Sequence, residues 1–261
     1  MINNSNIFIH PKAKIRKSTV INPFSYIDEN VVIGDNCLIS NNVTIYSGAQ
    51  IGNNVKIFPG AVISAIPQDL KFSGEETTSI IGDNCIIREC ATINRGTKEK
   101  GETVIEKECL IMAYVHVAHD CIIKNNSIVV NAVQIGGHCE IDEYSTVGGG
   151  SVIHQFSKIG KYSMVAGGSI IRKDIPPYCK AGKNPLTYMG VNSIGLKRRG
   201  FKNVQVNIIQ EIYRILYLEG LNNSQAFSKI SKEINECKEK NDILNFITKS
   251  ERGLIKGISS Y

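Results

Sequence analysis

The sequence predicts an all-β parallel β-helix, a three-sided prism of short strands, followed by an α-helical tail. Three features carry this: a six-residue period in Ile and Val, a second six-residue slot kept for small side chains, and a switch to helical spacing after two adjacent prolines. Stepping by six from Ile9 to Ile171 visits 28 positions, of which 25 hold Ile or Val. The chain's 59 Ile and Val among 261 residues would put only about six there by chance. The exceptions are Asp69, Glu75 and Glu99. Four residues after each of these positions comes the small slot, filled by residues such as Ala13, Thr19, Cys37, Ala91, Cys121 and Ser145.

A period of six matches neither a helix nor an alternating strand. It matches a short strand plus a turn, repeated as the flat sides of a prism. Three hexads make one coil of 18 residues. The stiff β-branched side chain fills the interior wall, and the small residue fits near the corner. Coils stack about 4.8 Å apart through strand hydrogen bonds, so the repeat spans about eight coils and roughly 40 Å. Proteins with this repeat wind left-handed, against the usual right-handed crossover. The predicted prism occupies residues 1–190.

Two polar, Gly-bearing interruptions leave the prism at 64–80 and 97–103, and the six-residue phase resumes after each. Loops on a rigid solenoid are places for function. The repeat ends at Asp174-Ile175-Pro176-Pro177, since proline cannot donate to a ladder. A helical region covers 191–261. Ile208, Ile212, Ile215, Leu216 and Glu219 give a helix ending near Gly220; Asn223 or Ser224 starts a second, and Asp242 a third.

Composition narrows the function. No apolar run reaches the roughly 18 residues of a membrane span, and the N-terminus has no continuous apolar stretch of a secretory leader. The expectation is a cytoplasmic protein with no integral membrane segment. A net charge of +6 permits an acidic partner, but no nucleic-acid motif accompanies it, so none is expected. Five of the eight Cys occupy the small slot and there is no CxxC pair, so they read as buried small residues rather than zinc ligands or disulfides.

Chemistry concentrates in one place. Of five His, His10 lies in the first turn and reads as structural, while His116, His119, His138 and His154 fall within 39 residues. Residues 18 apart share a place on adjacent coils. His119, Gly137 and Gln155 therefore form one column, Ala118, Gly136 and His154 the next, and Asp120, His138 and Phe156 a third. Outward His in a cluster suit either zinc, held between subunits, or general base catalysis near neutral pH. A base for a hydroxyl needs an orienting carboxylate, for which Asp69 is the candidate. A non-catalytic prism would instead show regular flat faces.

Four segments occur in order: Gln68-Asp69-Leu70-Lys71, His116-Val117-Ala118-His119-Asp120-Cys121, His154-Gln155-Phe156 and Gly195-Leu196-Lys197-Arg198-Arg199-Gly200-Phe201. With the prism and tail, they resemble the acyl-ACP:UDP-N-acetylglucosamine O-acyltransferase family, which opens lipid A biosynthesis. The resemblance covers essentially the whole chain. It implies transfer of a 3-hydroxyacyl chain from acyl carrier protein to the glucosamine 3-position of UDP-N-acetylglucosamine. It implies a homotrimer with sites between prisms, no metal and no loose cofactor.

Carried over residue by residue, His119 matches the catalytic base, Asp69 the carboxylate orienting it and the Gly137 N–H an oxyanion donor. Gln68, Lys71, His116, His138, His154, Gln155 and Asn192 match positions that bind substrate or support the site. Arg198 and Arg199 match a basic patch for phosphate and the acidic carrier. Gly167 matches the position whose size limits acyl length, and glycine leaves room for a long chain. Pro185, Ile194 and Asn94 depart from the family's frequent His, Glu and His. They leave open nucleotide contacts, acyl length and a 3-amino sugar giving an amide. Another hexapeptide-repeat acyltransferase is the remaining alternative. The later N-acyltransferase of the pathway carries a uridine-binding domain before its hexads, whereas here the hexads begin at Ile9.

Overall fold

The computed structural model describes residues 6–257. Short strands stack into three parallel faces. The first runs from Phe8–Ile9 to Ile170–Ile171 in nine strands, and the second from Lys14–Ile15 to Lys158–Ile159 in eight. The third begins at Val20–Ile21 and has ten strands. As far as Ile170–Ile171, consecutive strands belong to consecutive faces, as a prism requires. With its hexapeptide repeats it is a left-handed parallel β-helix.

The predicted inward slot is the core. Ile27, Ile33, Ile39, Ile45, Ile87, Ile93, Ile105, Ile111 and Ile123 are fully buried, stacked on Ile or Val through the ladders. From Phe24 onward, most corners turn through a residue with φ near +60°. Asn holds many of these places (Asn30, Asn36, Asn42, Asn54, Asn84, Asn126), because it tolerates the left-handed region better than other side chains. Cys37, Cys85, Cys109, Cys121 and Cys139 are buried and free in the small slot.

The interruptions keep the six-residue phase but shift the coil phase. Regular ladder partners such as Ile105 and Ile123 are 18 residues apart. Ile51 pairs with Ile81 and Ile81 with Ile105, so these two coils carry 12 and 6 extra residues. The strands Val62–Ala65, Thr78–Ile81 and Glu102–Ile105 extend into the predicted loops, leaving 66–77 and 95–101 outside the wall.

The end of the chain differs from expectation. After the prolines, Cys179–Gly182 still pairs in parallel with the third face, and Thr187–Val191 pairs back antiparallel. This hairpin has no hexad and gave no periodic signal. Among the described residues the tail is four helices: α1 Ser193–Arg198, α2 Asn203–Leu218, α3 Asn223–Glu233 and α4 Lys238–Thr248. Gly220 follows α2 at φ +70°, as expected of a helix stop. Asn222 caps α3, accepting from the Gln225 N–H. Asp242 starts nothing: α4 begins four residues earlier, capped by Cys237. The Asp242 carboxylate instead accepts from the Tyr178 hydroxyl and pairs with Lys161 at 3.1 Å, pinning α4 to the prism. Tyr213 on α2 donates its hydroxyl to the Pro177 carbonyl. The chain then returns through Leu254 and Lys256 to bridge Asp174 and Thr187. The tail therefore packs on its own prism. Among the described residues no helix is long and apolar enough to cross a membrane.

Candidate active site

Both interruptions and the His cluster share one corner, the edge between the first and second faces. Up this edge lie loop 66–77, loop 95–101, His119–Asp120, Gly137–His138 and His154–Gln155–Phe156. The columns stack as the 18-residue spacing predicts. The His119 ring lies over Gly137, where an added Cβ would come within 2.6 Å of His119 Cε1 and 2.8 Å of Nε2. His138 stacks on Phe156 at 4.5 Å between ring centroids and meets His119 edge-on at 5.1 Å. Asp120, His138 and Phe156 all hold φ near +60°. Since other corners of the prism do the same, this backbone belongs to the fold and not to the site.

Within one chain the carboxylate on the His119 ring is Asp120, while Asp69, expected to orient that ring, makes its hydrogen bond on its own loop. His119 Nδ1 lies 2.8 Å from Asp120 Oδ2. Asp69, on loop 66–77, accepts from the Lys71 backbone N–H at 3.0 Å. Position along the corner explains the difference: Asp120 is the adjacent residue in the same turn, whereas Asp69 is on a loop that leaves the wall two coils below. A carboxylate only accepts, so the short contact assigns the proton to Nδ1 and leaves Nε2 as the basic nitrogen.

Asp120 is fully buried and saturated with donors. The Thr97 backbone N–H donates to Oδ1 at 3.0 Å and the Thr97 hydroxyl to Oδ2 at 2.7 Å. Its own N–H donates to Thr103 Oγ1 at 2.8 Å. Burial pushes the Asp120 carboxyl up, but hydrogen bonds from Thr97 and His119 and the nearby His138 outweigh it. The net effect holds it below the usual carboxylate range. His138 is shifted down by burial, against the opposing pull of Asp120 and Glu99. His116 is shifted down by burial and by His119, and its Nδ1 sits 2.8 Å from Thr92 Oγ1. His119, Asp120 and His138 bring ligand atoms within 4.8 Å of one another. Their shortest separation is a hydrogen-bond length and the Asp120 oxygens already accept three donors, so the cluster fits a hydrogen-bonded base better than a metal cage.

The other expected residues divide by edge. His116 faces outward on the first face beside this corner, and His154 and Gln155 are exposed one coil above Gly137. Gln68 and Lys71 are exposed on loop 66–77. Gly167 lies at a different corner, between the third and first faces, against the Gly149 carbonyl. Asn192, Arg198 and Arg199 gather at the remaining edge. Asn192 donates to the Tyr162 carbonyl at 2.9 Å, and the Arg199 guanidinium lies 4.4 Å over the Tyr144 ring. One chain therefore does not bring the Arg pair or Gly167 to His119. Asn94 is buried and donates to the Ile66 carbonyl, Ile194 is exposed, and Pro185 lines a cavity of about 340 Å³ with Arg172, Lys173 and Lys256. Asp120 and Thr97 went unassigned from sequence. The only signal for Asp120 was its place after His119 in the column of His138.

The bacterial transferase hexapeptide family matches residues 12–47, 30–65 and 102–137. The second domain of UDP-N-acetylglucosamine O-acyltransferase matches residues 174–255. A Thermodesulfovibrio yellowstonii protein named acyl-[acyl-carrier-protein]–UDP-N-acetylglucosamine O-acyltransferase is 41% identical over 249 residues, 95% of this chain and 96% of that one. The chain belongs to the acyl-ACP:UDP-N-acetylglucosamine O-acyltransferase family. A Chlorobaculum parvum protein of the same name is 50% identical over 193 residues, 74% of this chain and 73% of its own. The crystal structure of LpxA, a UDP-N-acetylglucosamine acyltransferase from Bacteroides fragilis 9343, superposes with a TM-score of 0.95 at 50% identity. It covers 97% of this chain and 99% of that one. The match extends over prism and tail together.

Proposed function

We propose that this acyltransferase moves a 3-hydroxyacyl chain from acyl carrier protein to the 3-hydroxyl of UDP-N-acetylglucosamine, with His119 as general base. The observation that carries the reading is the His119–Asp120 pair lying over Gly137. The Gly137 N–H enters no hydrogen bond within the described residues. His119 Nε2 takes the hydroxyl proton as the sugar oxygen attacks the thioester carbonyl, and Asp120 stabilises the imidazolium. The Gly137 N–H stabilises the tetrahedral oxyanion. Collapse breaks the C–S bond, and the departing thiolate takes the proton back from His119. Atoms and charge balance with no metal or loose cofactor, because the thioester supplies the driving force.

The site is composite in a homotrimer. Leu70, at the tip of loop 66–77, is fully exposed, Ile66 and Ile170 are more than half exposed, and Val152 is nearly half exposed. Such apolar surface at the edge of an active corner fits a neighbouring subunit. A neighbour would bring Gln68, Asp69, Lys71 and the Asn192, Arg198 and Arg199 edge toward His119. His116, His138, His154 and Gln155 contact or support the substrates, and Gly167 bounds the acyl groove. The working place is the cytoplasm.

The test is acyl transfer from 3-hydroxyacyl carrier protein to UDP-N-acetylglucosamine, with chelator present. Ester product from wild type and a loss of at least about a hundredfold in His119→Ala are expected. Full activity in His119→Ala removes the base assignment. Product only with the 3-amino sugar replaces the ester reading by the amide one.

A further inference from the structure

Loop 95–101 does more than decorate the corner. Its neck is closed: the Arg95 N–H donates to the Ala65 carbonyl at 2.9 Å, the Gly96 N–H to Thr78 at 3.1 Å, and the Thr78 N–H to Gly101 at 2.9 Å. The strands pass so tightly that a Cβ on Gly96 would fall 2.2 Å from the Glu102 nitrogen. The Gly101 N–H closes the loop onto the Thr97 carbonyl at 2.7 Å. Thr97, only 7% exposed, is thereby fixed with both its donors aimed at Asp120.

The hydroxyl has one proton. Thr97 Oγ1 accepts from the Glu99 N–H at 3.3 Å, which leaves that proton for Asp120 Oδ2 at 2.7 Å. His119 Nδ1 converges on the same oxygen at 2.8 Å, and the Thr97 N–H holds the other oxygen. We propose that Thr97 is the positioning residue of this enzyme: its hydroxyl and N–H fix the rotation of the Asp120 carboxylate, which in turn fixes the His119 ring and its Nδ1–H tautomer. The chain of donors runs from Glu99 N–H through the Thr97 hydroxyl to Asp120, with His119 arriving from the opposite side. The six extra residues of this coil deliver Thr97 to the catalytic corner from below.

Charged and titratable groups around Asp120 bear on the outcome. His119 and His138 face the carboxylate, Glu99 Oε2 lies 3.4 Å from His138 Nε2, and Lys100 Nζ donates to the Asp120 carbonyl at 3.2 Å. Removing the Thr97 hydroxyl takes a donor from the carboxylate. Asp120 then binds protons more readily, and the His119–Asp120 pair keeps a proton to higher pH.

The inference rests on His119 being the base, so the experiment carries its own control. Wild type, His119→Ala, Thr97→Val and Thr97→Ser are assayed for kcat, KM and the pH dependence of kcat/KM. Valine keeps the shape and the backbone N–H and removes only the hydroxyl. Thr97→Val is expected to lower kcat at least about tenfold. The KM for the sugar nucleotide stays within about twofold, and the acid limb of kcat/KM moves to higher pH. Serine restores both. Thr97→Val with wild-type kcat, or a loss with an unmoved acid limb that serine does not repair, overturns the positioning role while His119→Ala stays inactive. If His119→Ala is itself fully active, the base reading fails and this inference with it.

Discussion

The two interruptions of the prism leave the same corner, yet they are built differently. Loop 95–101 is drawn into the wall, with Thr97 buried against Asp120 and Lys100 reaching the Asp120 carbonyl. Loop 66–77 stands away from it. Its internal ties are local, from Lys71 N–H to Asp69 and from Ser73 N–H to Glu75; Asn94 holds its base by donating to the Ile66 carbonyl at 3.1 Å, and beyond that the Arg95 guanidinium lies 5.5 Å from the Phe72 ring. Leu70 at its tip touches nothing that shields it. The tight loop serves the base of its own chain. The loose one presents Gln68, Lys71 and the apolar tip Leu70 outward, as a segment does when its partner surface belongs to another subunit.

Mixing inactive chains sharpens that contrast most. Chains carrying His119→Ala and chains carrying Asp69→Ala, co-expressed, are expected to regain at least about tenfold over either alone, because a mixed trimer holds one intact composite site. Chains carrying His119→Ala and Asp120→Ala are expected to regain nothing, since both changes strike the same corner. Equal recovery in the two mixtures would erase the distinction between the loops.

A smaller effect is expected at Gly137. Its backbone is ordinary, and the three atoms nearest to an added Cβ all belong to the His119 ring. The ring is displaced while the fold holds. Gly137→Ala should lose at least about tenfold in kcat through misplacement of the base. The chemical-denaturation midpoint should shift by no more than about 1 kcal/mol equivalent. A variant with wild-type kcat would mean that the ring's seat on Gly137 is irrelevant.

The smallest effect is in stability against pH. Asp120 sits below its ordinary range, so its contribution is present above the unfolded carboxyl value and is lost as pH falls through the folded value. His138 and His116 are also shifted down, so the unfolded chain binds more protons once pH drops below about 6.5, the ordinary imidazole value. The melting temperature should fall from pH 7 to pH 5, and His138→Gln should flatten that slope by a degree or two at most, on the order of a few tenths of a kcal/mol. A steeper slope in the variant would contradict the sign.

Much of this was legible in the sequence. The wall was readable because each hexad repeats one demand, an Ile or Val facing inward, and the stacking of His119 on Gly137 and of His138 on Phe156 follows from the 18-residue coil alone. Asp120 was placed in the correct column but not given its role, because a column fixes height and edge while the direction of a side chain depends on its partners. Its partner Thr97 sits in the one stretch of that coil with no period. The Cys179–Gly182 and Thr187–Val191 hairpin escaped for a similar reason, as antiparallel pairing carries no hexad. Asp242 looked like a helix start, since Asp commonly is one, but it serves Tyr178 and Lys161 across the prism boundary. The Arg198 and Arg199 edge and Gly167 were expected in a site formed between neighbouring prisms, and a single chain sets them on separate corners.

The measurement that bears most directly on the account is the activity of Asp120→Asn beside wild type, with folding checked by melting temperature and sugar-nucleotide binding by calorimetry. Asparagine keeps the size but presents an amide to His119 Nδ1, so the ring is free to take the wrong tautomer. The expected result is a fall in kcat of at least about a hundredfold with the sugar nucleotide still bound. An Asp120→Asn enzyme that turns over at the wild-type rate would contradict the pairing of His119 with Asp120 as the catalytic unit.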